Sequence, residues 1–214
     1  MNIKKPFLIC EIGLNHLGSK KYLNKYLQFI KDKKIDAITI QILKDSFFKK
    51  KKFKKMKLNF DVINKFIDSV KISKKKIGIA LNDISYLHHL ERKKVDFYKV
   101  LSGDFKNINF IKSLLQNTNK KVYLSTGFSN FKEIKHVLSK INSKNVGLIH
   151  TSFDKKKKNI NFERIKELKY KFKLPISYGN HSSNINSIPG SVMFLPENIF
   201  FYIKFNNSFK FPDN

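Results

Sequence analysis

The stretch Phe7-Leu8-Ile9-Cys10-Glu11-Ile12-Gly13-Leu14-Asn15-His16-Leu17-Gly18 opens as an apolar run and ends in a carboxylate, an amide and an imidazole within a glycine-bounded turn. Short continuous apolar runs mark strands that are buried on both faces. Ionisable groups just past the end of such a strand are where α/β folds concentrate their chemistry. An ordinary strand end with polar loop residues is the competing reading of this one segment.

Outward from it, apolar strand-like runs alternate with amphipathic stretches along the whole chain. Strand candidates lie at 6–10, 36–42, 76–81, 96–101, 121–125, 145–150, 174–178 and 198–205. Helical stretches include 20–33, with Tyr22, Leu23, Tyr26, Leu27 and Ile30 on one face, and 60–70, 108–115, 130–141 and 161–172. Regular βα alternation predicts a parallel sheet with right-handed crossovers. Eight such units close a (β/α)₈ TIM barrel, an α/β fold whose usual size is about 250 residues. A chain of 214 residues therefore predicts a compact barrel with short loops, and no helix is assigned after the last strand. An open doubly wound sheet is the alternative, but no Gly-x-Gly-x-x-Gly follows the first strand. No linker or longer repeat divides the chain, so a single domain over 1–214 is expected.

Cys10 is the only cysteine, which excludes an internal disulfide and a thiolate-rich zinc site and favours a reducing, cytoplasmic setting. Lys4 and Lys5 before the apolar run resemble the start of a signal peptide, but Glu11 interrupts that run well short of an h-region. No run reaches the roughly 18 apolar residues of a membrane helix, so a soluble protein without membrane partners is expected. The formal charge of +28 would ordinarily point to nucleic acid. Arginine, whose bidentate fork dominates base and phosphate recognition, occurs only at Arg92 and Arg164. The excess is lysine, accompanied by Asn, Ile and Phe, as a nucleotide-biased genome would produce. No specific nucleic-acid partner is expected, and the lysine run at 49–57 reads as a solvated loop.

In a barrel the catalytic groups come from the C-terminal ends of several strands. The polar residues fall there: Glu11, Asn15 and His16 after the first strand, Gln41 at the end of the second, Asn82 and Asp83 after the third. Lys99 lies inside the fourth, with Ser102, Gly103 and Asp104 following. Ser125, Thr126 and Gly127 close the fifth, His150 ends the sixth, Asn180 and His181 follow the seventh, and Lys204 lies near the end of the eighth. Lys99 is the sharpest signal, because an ammonium inside a buried strand must face an anion or lose its proton. Ser102-Gly103-Asp104 and Ser125-Thr126-Gly127 read either as turns or as anion cradles of hydroxyls and backbone N–H groups. His88, His89 and His136 read as surface residues. Together the groups suit a small anionic substrate and a divalent metal.

These motifs resemble the sialic acid synthase family: the N-acetylneuraminate synthases and their pseudaminic and legionaminic acid relatives. Its members condense phosphoenolpyruvate with an N-acetylated hexose such as N-acetylmannosamine. The resemblance runs from Phe7 to about Asp213. Residues 11–18 are similar to the family's Glu-Ile-Gly-x-Asn-His-x-Gly, and residues 98–104, Tyr-Lys-Val-Leu-Ser-Gly-Asp, to the segment that grips phosphoenolpyruvate. Leu124-Ser125-Thr126-Gly127 is similar to a phosphate-contacting turn, and residues 178–182 to a Ser-Asp-His-Thr segment whose histidine binds metal. The resemblance implies that Mn²⁺ or Mg²⁺, held by His181 with help from Glu11, polarises the aldehyde of the open-chain sugar. It further implies Lys99, Ser102 and Ser125 on phosphoenolpyruvate, Gln41, Asp104 and Asp213 on substrate, and a homodimer. Thr39 replaces a family lysine, and Ile203-Lys204-Phe205-Asn206 stands in place of Glu-Lys-His-Phe, so Phe205 occupies the position of a second metal histidine. The family's C-terminal antifreeze-like domain is not expected within this chain.

The leading expectation is thus a phosphoenolpyruvate-dependent, C–C bond-forming transferase of carbohydrate biosynthesis. A diverged relative that binds acidic metabolites without turning them over is the second reading, and a basic surface- or nucleic-acid-binding protein the third.

Overall fold

The computed structural model describes residues 5–142, 144–153, 160–205 and 211–213. Eight parallel strands pair in chain order and close, β1 with β8, into a barrel. They are β1 (Phe7–Gly13), β2 (Ala37–Ile42), β3 (Lys76–Leu81), β4 (Phe97–Val100), β5 (Lys121–Ser125), β6 (Val146–Ser152), β7 (Ile176–Asn180) and β8 (Asn198–Tyr202). The helices are α1 (Lys20–Lys31), α2 (Asp45–Phe48), α3 (Phe60–Ile72), α4 (Leu87–Arg92), α5 (Ile108–Gln116), α6 (Phe131–Ser139), α7 (Glu163–Phe172) and α8 (Ser187–Val192). The (β/α)₈ barrel expected from the alternation is the observed fold. Residue Asn206, at the end of the segment compared with the family's Glu-Lys-His-Phe, lies outside the described residues. Among the described residues no helix is long and apolar enough to cross a membrane.

Helix starts follow local chemistry. Ser19 accepts from the Tyr22 N–H at the head of α1. Asn130 and Glu133 form a reciprocal capping box on α6, in each case satisfying N–H groups that the first turn leaves without partners.

Successive side chains of a strand point to opposite faces, and the two faces are packed differently. Outward residues such as Cys10, Ile12, Ile38, Ile40, Val122 and Leu148 pack with Leu23, Tyr26, Ile67 and Leu168 of the surrounding helices. Inward residues Ile9, Ala37, Phe97, Tyr123, Ile149 and Phe200 form a separate cluster. Its rings meet edge to face: Phe97 to Tyr123 at 5.5 Å and 85°, Tyr123 to Phe200 at 5.4 Å and 70°. Such T-shaped contacts suit aromatic quadrupoles, and here they plug the barrel. The plug is the floor on which the polar groups rest.

Four C-terminal strand ends differ by two residues or more from the reading of the sequence, β6 among them, which runs to Ser152 and not to 150. β1 runs past Glu11 to Gly13, with a register irregularity against β2 between Glu11 and Gly13. Glu11 therefore stands inside the barrel, where Lys99 meets its charge, and not in the loop. β7 extends to Asn180, and β8 stops at Tyr202, short of 205.

Candidate active site

Lys99 and Glu11 face each other above the aromatic floor. Lys99 Nζ lies 2.5 Å from Glu11 Oε1, and both side chains are almost wholly buried. The ammonium also sits 5.1 Å from the Phe200 ring centroid and 5.9 Å from that of Tyr202, so a carboxylate and two ring faces compensate its desolvation. The second oxygen, Glu11 Oε2, is buried and has no hydrogen-bond partner among the described residues.

Over this pair opens a cavity of about 440 Å³ at the C-terminal end of the strands. It gathers Gln41, Lys99, Ser102, Asp104, Ser125, His181 and Asp213 of the expected site. Glu11 is the one exception, lying beneath Lys99. A chain of hydroxyls forms one wall: Ser102 and Ser125 Oγ lie 2.8 Å apart, and Ser125 Oγ and Thr151 Oγ1 lie 2.7 Å apart. The Gly127 N–H donates to Ser102 Oγ at 3.3 Å. Two buried hydroxyls, a backbone N–H and an ammonium are donors suited to a phosphorylated carboxylic acid.

The opposite side is organised by Asn15. Its amide donates to the carbonyls of Ile203 and Asp213, at 2.9 and 2.8 Å, and its Oδ1 accepts from the Asp213 N–H at 3.0 Å. Asn15 is completely buried. This clamp ties the segment carrying Asp213 to the loop after β1. Asp213 Oδ2 accepts from the Leu14 N–H at 2.6 Å. Gly13, at φ +55, leaves the room: a Cβ there would lie 2.3 Å from Asp213 Oδ2. Burial pushes the Asp213 carboxyl up to about 6, with the Leu14 N–H and Lys99 opposing and Glu11 adding to the rise. Asp104 also titrates above its ordinary value, chiefly through burial, with the Asn82 hydrogen bond and the Lys44 charge opposing.

Gln41 donates to the Tyr202 hydroxyl at 3.4 Å, and the His181 ring lies between those of Tyr202 (5.0 Å) and Phe153 (4.6 Å). Phe153 in turn stacks on exposed Phe128 at 4.4 Å and 12°. Thr151, Tyr202 and this aromatic pair were not singled out in the sequence. Alternation from Asn198 and Phe200 predicts an inward Tyr202, and an inward Ile149 does the same for Thr151.

Of the other groups expected at the mouth, His16 lines a neighbouring cavity and Asp83 caps the turn at Ser85, and three more are elsewhere. His150 points outward, tilted on the Tyr178 ring at 6.3 Å, because its neighbours Ile149 and Thr151 take the inward positions. Asn180 binds the Tyr178 and Ser187 hydroxyls and the Ser182 backbone, which fixes the turn that presents His181. Lys204 is exposed. Phe205 lies against α1, stacked on Tyr26 at 4.1 Å and 18°, and is turned away from the cavity.

The residues do not fit a divalent cation. Among the described residues no group of three His, Cys, Asp or Glu is placed to hold one. Glu11 has an ammonium on one oxygen, and His181 is packed between two rings. The Mn²⁺ or Mg²⁺ expected from the resemblance finds no ligand set among the described residues.

The family model described as "NeuB family" matches residues 28–194. The chain is 27% identical over 211 residues to the N,N'-diacetyllegionaminic acid synthase of Campylobacter jejuni, covering 86% of this chain and 63% of that protein. It is 28% identical over 190 residues to an uncharacterized protein of Methanocaldococcus jannaschii, covering 84% of this chain and 56% of the other. The chain thus spans about three fifths of the length of these relatives. Its fold superposes on the N-acetylneuraminic acid synthetase of Leptospira borgpetersenii, crystallised with citrate, with a TM-score of 0.86 at 23% identity, over 95% of this chain and 74% of that one. A truncated 3-deoxy-D-arabino-heptulosonate 7-phosphate synthase from Thermotoga maritima superposes at 0.69 with 12% identity, over 93% and 75%.

Proposed function

The chain belongs to the NeuB family, and from that premise we propose that it condenses phosphoenolpyruvate with the open-chain aldehyde of an N-acetylated hexose to give a nonulosonic acid and phosphate. The observation that carries this reading is the pairing of a buried ammonium, Lys99, with the Ser102–Ser125–Thr151 hydroxyl chain in one cavity. That set matches an anion with a phosphate and a carboxylate. Lys99 supplies charge, and the two serines and the Gly127 N–H orient the phosphate oxygens.

C3 of the enol attacks the aldehyde carbon, and the C–C bond forms. The aldehyde oxygen takes a proton from Asp213, whose carboxyl, raised to about 6, holds one more readily than an ordinary aspartate. Water adds at C2 and releases its proton to the solvent that fills the cavity. The C2–O bond to phosphate breaks, phosphate leaves, and the remaining hydroxyl at C2 becomes the ketone as its proton departs.

A second reading, a relative that binds acidic metabolites without turnover, is favoured by Thr39, buried in β2 where the resemblance places a lysine. Phosphate release from phosphoenolpyruvate separates the two. Sugar-dependent release that disappears in Lys99→Ala supports the synthase. Binding of phosphoenolpyruvate without release under any sugar overturns it in favour of the second reading.

A further inference from the structure

One wall of the catalytic cavity is a ladder of aromatic rings. Phe128 lies on Phe153 with centroids 4.4 Å and planes 12° apart. Phe153 meets the His181 ring at 4.6 Å, and His181 meets Tyr202 at 5.0 Å. Tyr202 in turn lies 5.9 Å from Lys99 Nζ. All four rings line the cavity, one each from the ends of β5, β6, β7 and β8, so the ladder descends from the rim to the buried ammonium. Gly127 makes room for it: a Cβ there would lie 2.3 Å from Phe153 Cε2, and only a residue without a side chain admits the ring so close. At the inner end a Cβ on Gly13 would strike both Asp213 and Tyr202, so the last ring stands beside the Asp213 carboxylate.

The outer rings are exposed, Phe128 by 62% and Phe153 by 37%, whereas Phe97 and Phe200 of the plug are 5% and 0% exposed. Rings that fill a core are buried; apolar surface left open at the mouth of a polar cavity marks a ligand face. The same cavity carries Gln41, Asp104 and Asp213. A wholly apolar ligand would strip water from those groups and return no hydrogen bond. A wholly polar one would leave the rings in water. A sugar chain presents both surfaces, with C–H groups that pack on aromatic faces and hydroxyls that replace the water.

We infer that the Phe128–Phe153–His181–Tyr202 ladder is the face on which the acceptor sugar lies, its aldehyde end toward Tyr202 and Asp213 and its far end over Phe128. The inference rests on the synthase reading and adds which wall holds the sugar. Phe128 and Phe153 set its affinity through contact with carbon, at a distance from the bond that forms.

The chain contains no tryptophan, so Phe128→Trp places a single indole on the outermost ring position of the whole protein. A panel of N-acetylated hexoses, added with and without phosphoenolpyruvate, should shift its emission, and phosphoenolpyruvate alone should not. Phe128→Ala should raise the sugar's KM and its calorimetric Kd at least about tenfold, as loss of part of a phenyl ring's apolar burial implies, while the affinity for phosphoenolpyruvate holds. Phe128→Tyr, which keeps the ring face, should restore most of that affinity. Phe153→Leu, which fills space without a flat ring, should act as Phe128→Ala does. An emission unmoved by a sugar that is turned over, or a sugar KM unchanged in both Phe128→Ala and Phe153→Leu, overturns the ladder and leaves the synthase intact. Equal losses of affinity for sugar and phosphoenolpyruvate overturn it too, since they report a disturbed mouth. Sugar binding that shifts the emission and weakens in Phe128→Ala, without phosphate release, upholds the ladder while the synthase reading falls. If no hexose of the panel binds by calorimetry or emission, both fall.

Discussion

Lys99 Nζ and Glu11 Oε1 are 2.5 Å apart with both side chains buried, although 88 residues separate them in the chain. They form the only buried ion pair found among the described residues; the other pairs are at least partly exposed. Charge inside a barrel is tolerated when it is matched, and this match fixes where an incoming anion meets the protein.

Breaking the pair from one side leaves a buried charge alone. Lys99→Met should therefore lower unfolding free energy by about 3–5 kcal/mol, whereas Lys99→Met combined with Glu11→Gln should recover most of it. Urea denaturation of the four proteins in the cycle measures the coupling. Additive losses would mean that the two side chains do not interact in solution.

The clamp between Asn15 and Asp213 yields a second expectation. Asn15→Ala removes hydrogen bonds to Ile203 and Asp213 and leaves the partners buried, at a cost of about 1–3 kcal/mol. Because Asn15 acts through Asp213, KM for the sugar should rise while the affinity for phosphoenolpyruvate holds. Gly13→Ala should do the same more severely, since its Cβ would strike the Asp213 carboxylate at a φ that disfavours a side chain. Equal loss of affinity for both substrates would show a general collapse of the mouth.

The fold and half of this site were legible because of where charge interrupts apolar runs. Lys99 within residues 97–101 and Glu11 after residues 7–10 stand out against strands buried on both faces. The same property hides parity. In a strand apolar on both sides nothing in the sequence distinguishes inward from outward positions, which is why His150 was expected at the mouth and Thr151 was not. Asn15 looked catalytic and is a clamp, because its partners Ile203 and Asp213 come from the far end of the chain. Phe205 was compared with a metal-binding histidine, but β8 ends at Tyr202 and the chain beyond it turns onto Tyr26.

Acid should unfold the protein through its buried histidines. Burial holds His16 near 4. Burial and, after it, the Arg164 charge hold His150 near 4. Both start from an ordinary value of 6.5. The unfolded chain binds protons at these rings below 6.5 that the folded chain refuses until about 4, so stability falls as pH drops through that window. Asp213 opposes this below about 6, where the folded carboxyl keeps a proton that the unfolded one sheds, but one carboxyl does not outweigh two imidazoles. His150→Gln should flatten the decline by up to about 1.4 kcal/mol per pH unit, read from urea midpoints between pH 4 and 6.5. An unchanged slope would mean that His150 ionises alike in both states.

The same Asp213 carboxyl sets the expected pH dependence of turnover. A group that gives its proton to the aldehyde oxygen must hold one beforehand, and with its pKa raised to about 6 the protonated fraction falls tenfold for each pH unit above that point. Turnover with saturating sugar should decline on the alkaline side of about 6. Asp213→Asn cannot supply the proton, so its residual rate should be about 10²–10⁴-fold lower and should lack that limb. A structural role for Asp213, limited to receiving the Leu14 N–H, predicts something different: the asparagine oxygen accepts the same bond, and the variant would keep both its rate and its pH profile. The shape of the profile therefore separates an acid at the sugar aldehyde from a peg that only fastens the end of the chain to the mouth of the barrel.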